Sequence, residues 1–406
     1  MNRQNGLVSL PSLGAGRSAG AGAENALEPA TEGQAIRWNV AVPPVDKCTR
    51  FRCSADLRLA RGERIEAVSD QAPIPSADTV AWLLGGDDPS VRYFALIDLL
   101  GAAPGDPEVV AARRDIMTGG TVPRILCAQG DDGHWGERDR YYVAKYRGTA
   151  WQLIILAELG ADGADERVRR ACEAILRDAQ DAESGGFSVN RSKKAGGGLH
   201  SSVIPCLTGN LVFSLIRLGM LDDPRVQRAI DWITTYQRFD DGEGDAPTGW
   251  PYEPLEMCWG RHTCHMGAVK ALKALAEIPP ERRSPEVRRT LAGGVEYVLR
   301  HHVHKRSHDL KRDAKPGWRR FGFPLMYQSD VLEILAILTR LGVRDERMDE
   351  ALALVAAKQD AQGRWKLAST FNGRFVADIE AKGRPSRWIT LRALQVLQAN
   401  GLTAAV

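Results

Sequence analysis

Eight consecutive residues, Cys258-Trp-Gly-Arg-His262-Thr-Cys264-His265, hold two cysteines and two histidines, in a chain with seven Cys and eight His altogether. Thiolate and imidazole suit zinc, and three protein ligands with a fourth position open is the catalytic rather than the structural arrangement. Cys206 lies 58 residues before Cys264. A fold repeating at that period would bring Cys206, Cys264 and His265 together around Zn2+, with Cys258 and His262 in reserve. A plainer reading fits the same residues: small cysteines pack where helices approach closely, and a histidine at a helix start bonds locally.

A second group runs from His301 to Arg320, with four of the eight histidines and seven Lys or Arg between Lys305 and Arg320. Lys305, Arg306, Lys311, Arg312, Arg319 and Arg320 are expected to receive an anion such as a diphosphate, the arginines by forked hydrogen bonds. A charge run of this kind also reads as a solvated loop, and Lys193-Lys194 is a smaller spot of the same sort. Asp330 follows Tyr327 and Gln328 and heads the apolar run Val331–Leu341. There it serves as an acid, a base or a cation stabiliser, or as an ordinary helix cap. Asp330, Tyr327 and His262 are the catalytic candidates. The acidic stretch Asp240-Asp241-Gly-Glu-Gly-Asp245 is glycine-rich and reads as a turn.

Side chains this far apart need a scaffold, and the sequence supplies one by repeating itself. Asp106-Pro-Glu-Val109 is echoed at Asp165, Asp223, Ser284 and Asp345, in steps of 59, 58, 61 and 61 residues. Each copy is a helix start, with Asp or Ser to cap the free N–H groups and Pro or an acidic residue in the first turn. Upstream, Leu100-Gly101, Leu159-Gly160, Leu218-Gly219 and Leu341-Gly342 are helix stops, glycine taking the left-handed cap. The second helix of each unit leads to Gln129-x3-Gly133-x-Trp135, repeated as Gln359-x3-Gly363-x-Trp365. Looser copies follow Gln180 and Gln237. The Gln amide is expected to bond carbonyls at its helix end, the Gly to turn the chain and the aromatic to pack on the next helix.

Paired helices at this period, carrying Q-x3-G-x-W, resemble the prenyltransferase and squalene-cyclase repeat. The resemblance covers roughly residues 77–400. It implies an all-α fold, the α/α toroid of terpenoid cyclases and protein prenyltransferase β subunits, over a domain of residues 77–406. In that architecture the first helix of each pair lines a central cavity. The expected cavity-facing ends lie near Tyr146–Trp151, Cys206–Asn210, His262–Met266, Tyr327–Asp330 and Ser386–Thr390. The implied activity is prenyltransferase- or cyclase-like, on a hydrophobic, isoprenoid-type or diphosphate-bearing substrate, with the basic loop as the diphosphate rim. The Cys-His pair is also partly similar to the zinc site of lanthionine synthetase C-like cyclases, which points to a thiol-activating, peptide-modifying enzyme as an alternative. A carbohydrate-active toroid using a carboxylate pair such as Asp330 and Asp309, and a non-catalytic ring binding a lipid or partner, are further alternatives. The Asp-x-Asp-Asp motif of class II terpene cyclases is absent, and the chain has room for one barrel, which disfavours squalene cyclisation.

Composition bounds the rest. The net charge of +3 is too small to argue for nucleic acid. Residues 1–76 are expected to be a disordered or irregular extension, since Leu13–Gly33 has almost nothing to bury. No run approaches a transmembrane span. An odd number of scattered cysteines suggests free thiols in a reducing, cytoplasmic setting.

Overall fold

The computed structural model describes residues 76–402 except 246, 254–255 and 261. The expected N-terminal extension therefore lies outside the described residues, save Ser76, whose hydroxyl caps the first helix at Thr79 N.

The described chain is helix-rich, with few short strands. The helices are α1 (Ala77–Leu84), α2 (Pro89–Phe94), which runs on into a π-helical segment (Ala95–Leu99), α3 (Pro107–Asp115), α4 (Val122–Leu126), α5 (Thr149–Glu158), α6 (Glu166–Ala179) and α7 (Pro205–Arg217). They continue with α8 (Pro224–Tyr236), α9 (Glu256–Trp259), α10 (His265–Ala276), α11 (Pro285–Arg300), α12 (Val331–Arg340), α13 (Asp349–Ala356) and α14 (Arg387–Ala399). Two antiparallel ribbons interrupt them: Lys305–Arg306 with Asp309–Asp313, and Trp365–Lys366 with Pro385–Ser386.

Burial divides the helices into two kinds. Every residue of α5 is buried, and so is α7 from Pro205 to Ile216, and most of these residues are apolar. A helix apolar all round belongs inside. Helices α6, α8 and α11 bury one face and wet the other. The inner helices pack in sequence, α5 on α7, α7 on α10, α10 on α12 and α12 on α14, while α6, α8, α11 and α13 each back the inner helix before them. The α7–α10 approach is the closest, because Gly209 lets the backbones meet: a Cβ there would lie 2.5 Å from the Lys270 carbonyl carbon. Helix α14 packs in turn on α2 and the π-helical segment. Trp388 Nε1 donates to Asp88 Oδ2 at 3.0 Å, and Arg387 Nε to the Trp82 carbonyl at 3.1 Å.

The repeat is legible as recurring bonds. Asp165, Asp223 and Asp345 each accept from the N–H two residues on, and Ser284 from Val287 N. Asp106 departs from the pattern and accepts from Ala103 N, ahead of its helix. The four Leu-Gly stops adopt φ of 66, 72, 86 and 73° at Gly101, Gly160, Gly219 and Gly342. The first unit's outer element is broken into α3 and α4 instead of one helix.

The Gln motif does something other than expected. Gln129 Nε2 donates to Gly133 O (3.2 Å) and to Arg167 O (2.9 Å), and Gln180 Nε2 to Gly185 O (2.8 Å) and Arg225 O (2.7 Å). Each Gln thus stitches its own loop to the first turn of the next outer helix, not to its own helix end. Gly133 (φ 86°) allows the approach, since a Cβ would fall 2.6 Å from Arg170 O. Trp135, Phe187 and Trp365 donate their N–H to Thr149, Thr208 and Thr390, in the first turn of the next inner helix, at 3.2, 3.0 and 3.0 Å. Three junctions between successive units are therefore tied through polar atoms, each bond worth about 1 kcal/mol when satisfied and more when orphaned.

Candidate functional site

The N-terminal ends of the inner helices gather aromatic rings. Tyr142 and Tyr146 precede α5, Trp151 lies in its first turns, Tyr327 precedes α12, and Phe371 and Phe375 precede α14. Tyr146 meets Phe371 at a centroid distance of 4.1 Å, Trp151 at 5.0 Å and Tyr327 at 6.3 Å. Trp151 Nε1 donates to Tyr142 O (2.7 Å) and Gln152 Nε2 to Tyr146 O (2.9 Å), fixing the loop against α5. Two cations rest on this surface. The Lys145 ammonium lies over Tyr142 (5.1 Å) and Tyr327 (4.8 Å), and the Arg374 guanidinium over Tyr146 (4.9 Å). Such contacts are ring-quadrupole attractions of about 0.5–1 kcal/mol at exposed sites.

Thiols adjoin the rings. Burial pushes the Tyr142 phenol up, and the neighbouring Cys206, Tyr327 and Cys258 push it further. The first turns of α7 and α10 touch, Pro205 lying against Gly267 and Gly267 against Cys264. Burial first, then Cys264 and Cys258, drives the Cys206 thiol far above its ordinary range, and Cys258 rises to about 11. The structure thus brings Cys206, Cys258 and Cys264 into one neighbourhood, with burial raising the Cys206 and Cys258 thiols. His265 is not with them. Its ring packs against Trp318 (4.5 Å), His301 (4.6 Å) and Tyr297 (5.0 Å), between α10 and α11, and burial depresses its basicity. Among the described residues no three His, Cys, Asp or Glu side chains converge as a metal site. The Cys206–Cys264–His265 set as placed does not fit a zinc ion.

The remaining candidates disperse. Asp330 is buried and caps α12: Oδ1 accepts from Glu333 N (2.8 Å) and Oδ2 from Gly322 N (2.9 Å). Burial raises its carboxyl to about 7 against those two bonds. Both oxygens are occupied by backbone, which favours the cap over catalysis. Asp309 Oδ1 accepts from Lys311 N on the ribbon. His262 is exposed, and its Nδ1 donates to Asp241 O at 3.0 Å. In the basic group Lys305 is buried against Glu350 (2.5 Å) and Asp313 (3.9 Å), Arg306 Nε donates to Asp313 O, and Arg319 pairs with Asp313 at 3.6 Å. Lys311, Arg312 and Arg320 are exposed. Half of the expected rim is therefore tied up within its own ribbon and neighbours.

A cavity of about 330 Å³ lies among the inner helices, lined by the C-terminal halves of α5, α7 and α10, by Glu333 to Arg340 of α12, by Trp388 to Ala399 of α14 and by the π-helical segment. A buried ion cluster sits at its inner end. Lys270 Nζ donates to both Glu333 oxygens at 2.7 Å, Lys273 Nζ to Glu333 at 3.0 Å, and Glu158 takes Lys273 and Arg392. The neighbouring cations hold the Glu158 and Glu333 carboxyls low against their burial. Sequence reasoning passed over these residues. The signal was present: lysines at 270 and 273, three apart on an otherwise apolar helix, and a lone Glu in each of α5 and α12. Lys145 and Arg374 were missed because their role depends on rings far off in sequence.

No family model matches the chain, and no curated protein matches it significantly. Among solved structures it is similar to a protein from Actinoplanes (15% identity, 77% of this chain and 90% of that one, TM-score 0.36). It is also similar to the type II terpene cyclase MstE from Scytonema (12%, 71% and 98%, 0.29) and to a glycosidase variant (12%, 74% and 100%, 0.29). Likenesses this loose leave the fold to be argued from the chain's own contacts.

Proposed function

We propose that the inner helices close into an α/α ring and that the ring is a cyclase- or transferase-like enzyme acting on an isoprenoid-type substrate at its aromatic N-terminal mouth. Ring closure is supported by α14 packing on α2 and by a single cavity that takes lining from the first to the last inner element. The observation that carries the function is the cluster of Tyr142, Tyr146, Trp151, Tyr327, Phe371 and Phe375, three of whose faces already carry a cation. A hydrocarbon chain buries its surface against such rings, and a positive charge developing on it meets the same quadrupoles that hold Lys145. Preorganised electrostatics of that kind lower a barrier because they need not rearrange as charge appears. Zinc has no part in this reading, because its expected ligands do not converge.

The test is a comparison of two probes of equal length, a farnesyl dimethylammonium salt as the cation mimic and farnesol as its neutral counterpart. The ammonium should bind more tightly, and Tyr327→Ala should erase its advantage while leaving farnesol binding nearly as it was. Equal affinity for the two probes, or none for either, would refute the reading.

A further inference from the structure

Beyond the Lys–Glu cluster the axis of the inner helices opens into the cavity of about 330 Å³, lined by four cations and four acids. Three carboxylates are each held between two cations: Glu158 by Lys273 and Arg392, Glu333 by Lys270 and Lys273, and Glu277 by Arg217 (3.6 Å) and Arg340 (2.7 Å). Five cations thus share three carboxylates. The fourth acid in the lining, Asp98, has no cation within salt-bridge distance among the described residues, and its hydrogen bond is a long one from Gln395 Nε2 at 3.4 Å. Asp98 is exposed, and desolvation of its carboxyl raises it above the ordinary range against the pull of Arg217 and Arg340. With Asp98 counted, and Lys270 behind the wall, five cations face four acids.

The rest of the wall is apolar, with Phe94, Phe213, Ile337, Trp388, Leu391 and Val396. Arg217 is clamped between the Phe94 (5.2 Å) and Phe213 (5.8 Å) rings, which fixes its guanidinium toward Glu277 and the cavity. Arg340 Nε is tied to Ala276 O at 3.2 Å, while its side chain stays half exposed. Two oriented guanidiniums beside aromatic and branched walls make a receptor for an anion with an apolar body. The volume is at the lower end of the ~300–1,000 Å³ usual for ligand sites, so the body is small.

We propose that this cavity is a second ligand site, separate from the aromatic mouth, that takes a small organic anion with its charged group on Arg217 and Arg340 and its apolar body against Phe213 and Trp388. The inference does not depend on the reaction proposed for the mouth.

Calorimetry on the full chain at low ionic strength tests it, with benzoate and phenyl phosphate as anions and benzylamine as the opposite-charge control. At least one anion should bind saturably at millimolar concentration or below, and benzylamine should not. Whichever of the two binds better assigns the headgroup as carboxylate or phosphate. Arg340→Gln, at a half-exposed position, should weaken the anion by roughly tenfold, and Ala336→Leu should weaken it by narrowing the cavity. Thermal melts establish that both variants are folded. Neither change should alter farnesyl ammonium binding, so a failure here is distinguishable from a failure of the mouth reading. Benzylamine binding as well as the anions, no anion binding, or anion binding indifferent to both substitutions would each overturn the proposal.

Discussion

In the loops ahead of α5 and α14, Lys145 and Arg374 rest on aromatic faces; between α5, α10, α12 and α14, Lys270, Lys273 and Arg392 are paired with carboxylates. Lys145 is exposed, and its ammonium over Tyr142 and Tyr327 gains about a kilocalorie, which a ligand can match. Lys270 is completely buried, with both Glu333 oxygens at 2.7 Å, and no solute can replace that partner without unpacking the core. The first arrangement is exchangeable and the second is a fastener. Through Glu158, Lys270, Lys273, Glu333 and Arg392 it joins α5, α10, α12 and α14. The contrast shows why a charge inventory says little about function until each charge is assigned its partner. The basic loop carries more charge than the mouth, but Asp313 and Glu350 answer much of it.

The largest effect should come from breaking the fastener. Glu333→Gln leaves Lys270 and Lys273 short of a buried counter-charge and should cost about 3–5 kcal/mol in chemical denaturation. Replacing Lys270 and Glu333 together by Met and Leu should recover most of that loss, because the pair repays little beyond its own desolvation. If Glu333→Gln costs less than about 1 kcal/mol, water reaches the cluster and the contrast with the mouth fails.

Next in size is a pH effect at the end of α12. The folded pKa of Asp330, about 7, lies above its unfolded value near 3.8. The unfolded chain therefore ionises first, and the Asp330 contribution is fully present below about pH 4 and lost as pH rises to about 7. Glu158 and Glu333 have the opposite sign: their pKa values are lowered, so their contribution is present above about 4.5 and lost as pH falls through the folded values. The difference between wild type and Asp330→Asn isolates the first effect. Between pH 4 and 8 the variant should gain on wild type by up to about 4 kcal/mol. Melting temperatures that run parallel across that range would show that Asp330 is ionised throughout.

A smaller effect tests exchangeability. Lys145→Ala should change stability by no more than about 0.5 kcal/mol, as exposed substitutions usually do. It should also tighten farnesyl ammonium binding severalfold, because two tyrosine faces are vacated. Weaker binding in Lys145→Ala would make that lysine a ligand contact instead of a placeholder.

The helical pairing was legible because it rests on local chemistry repeated in register. Capping Asp, Leu-Gly stops and Gln-x3-Gly-x-Trp turns each act within a few residues and recur about every sixty. The partner of each Gln was not legible, since it lies on the following outer helix, 38 residues beyond Gln129 and 45 beyond Gln180. The repeat period did bring Cys206 and Cys264 into one neighbourhood. It could not say which way His265 would turn, because a residue in the first turn of α10 can face either the thiols or the back of α11. Packing on Tyr297, His301 and Trp318 decides that, and those residues lie on the outer helix and long loop that follow α10. Lys145 and Arg374 were invisible for a related reason: they act on rings brought together by three different loops.

The smallest effect concerns the thiols, where the mouth and the zinc expectation meet. Iodoacetamide reacts with thiolate, so labelling follows exposure and the depth of each pKa shift. Cys127 is exposed and should label first at pH 8. Cys258, raised to about 11 and partly buried, should follow slowly, and Cys206 and Cys172, both buried with strongly raised thiols, should come last. Peptide mass spectrometry gives the order directly. The informative addition is a chelator. Zinc would hold Cys206, Cys258 and Cys264 as protected thiolates, and removing it would speed their labelling together while leaving Cys127 unchanged. With His265 turned toward Trp318 and neutral thiols packed against Tyr142, the chelator should change nothing. A joint acceleration of the three cysteines, with zinc released in proportion, would mean that α9 and the first turn of α10 rearrange around a metal. The mouth would then contain a fixed cation of its own, and the distinction between its exchangeable charges and the buried cluster would no longer hold.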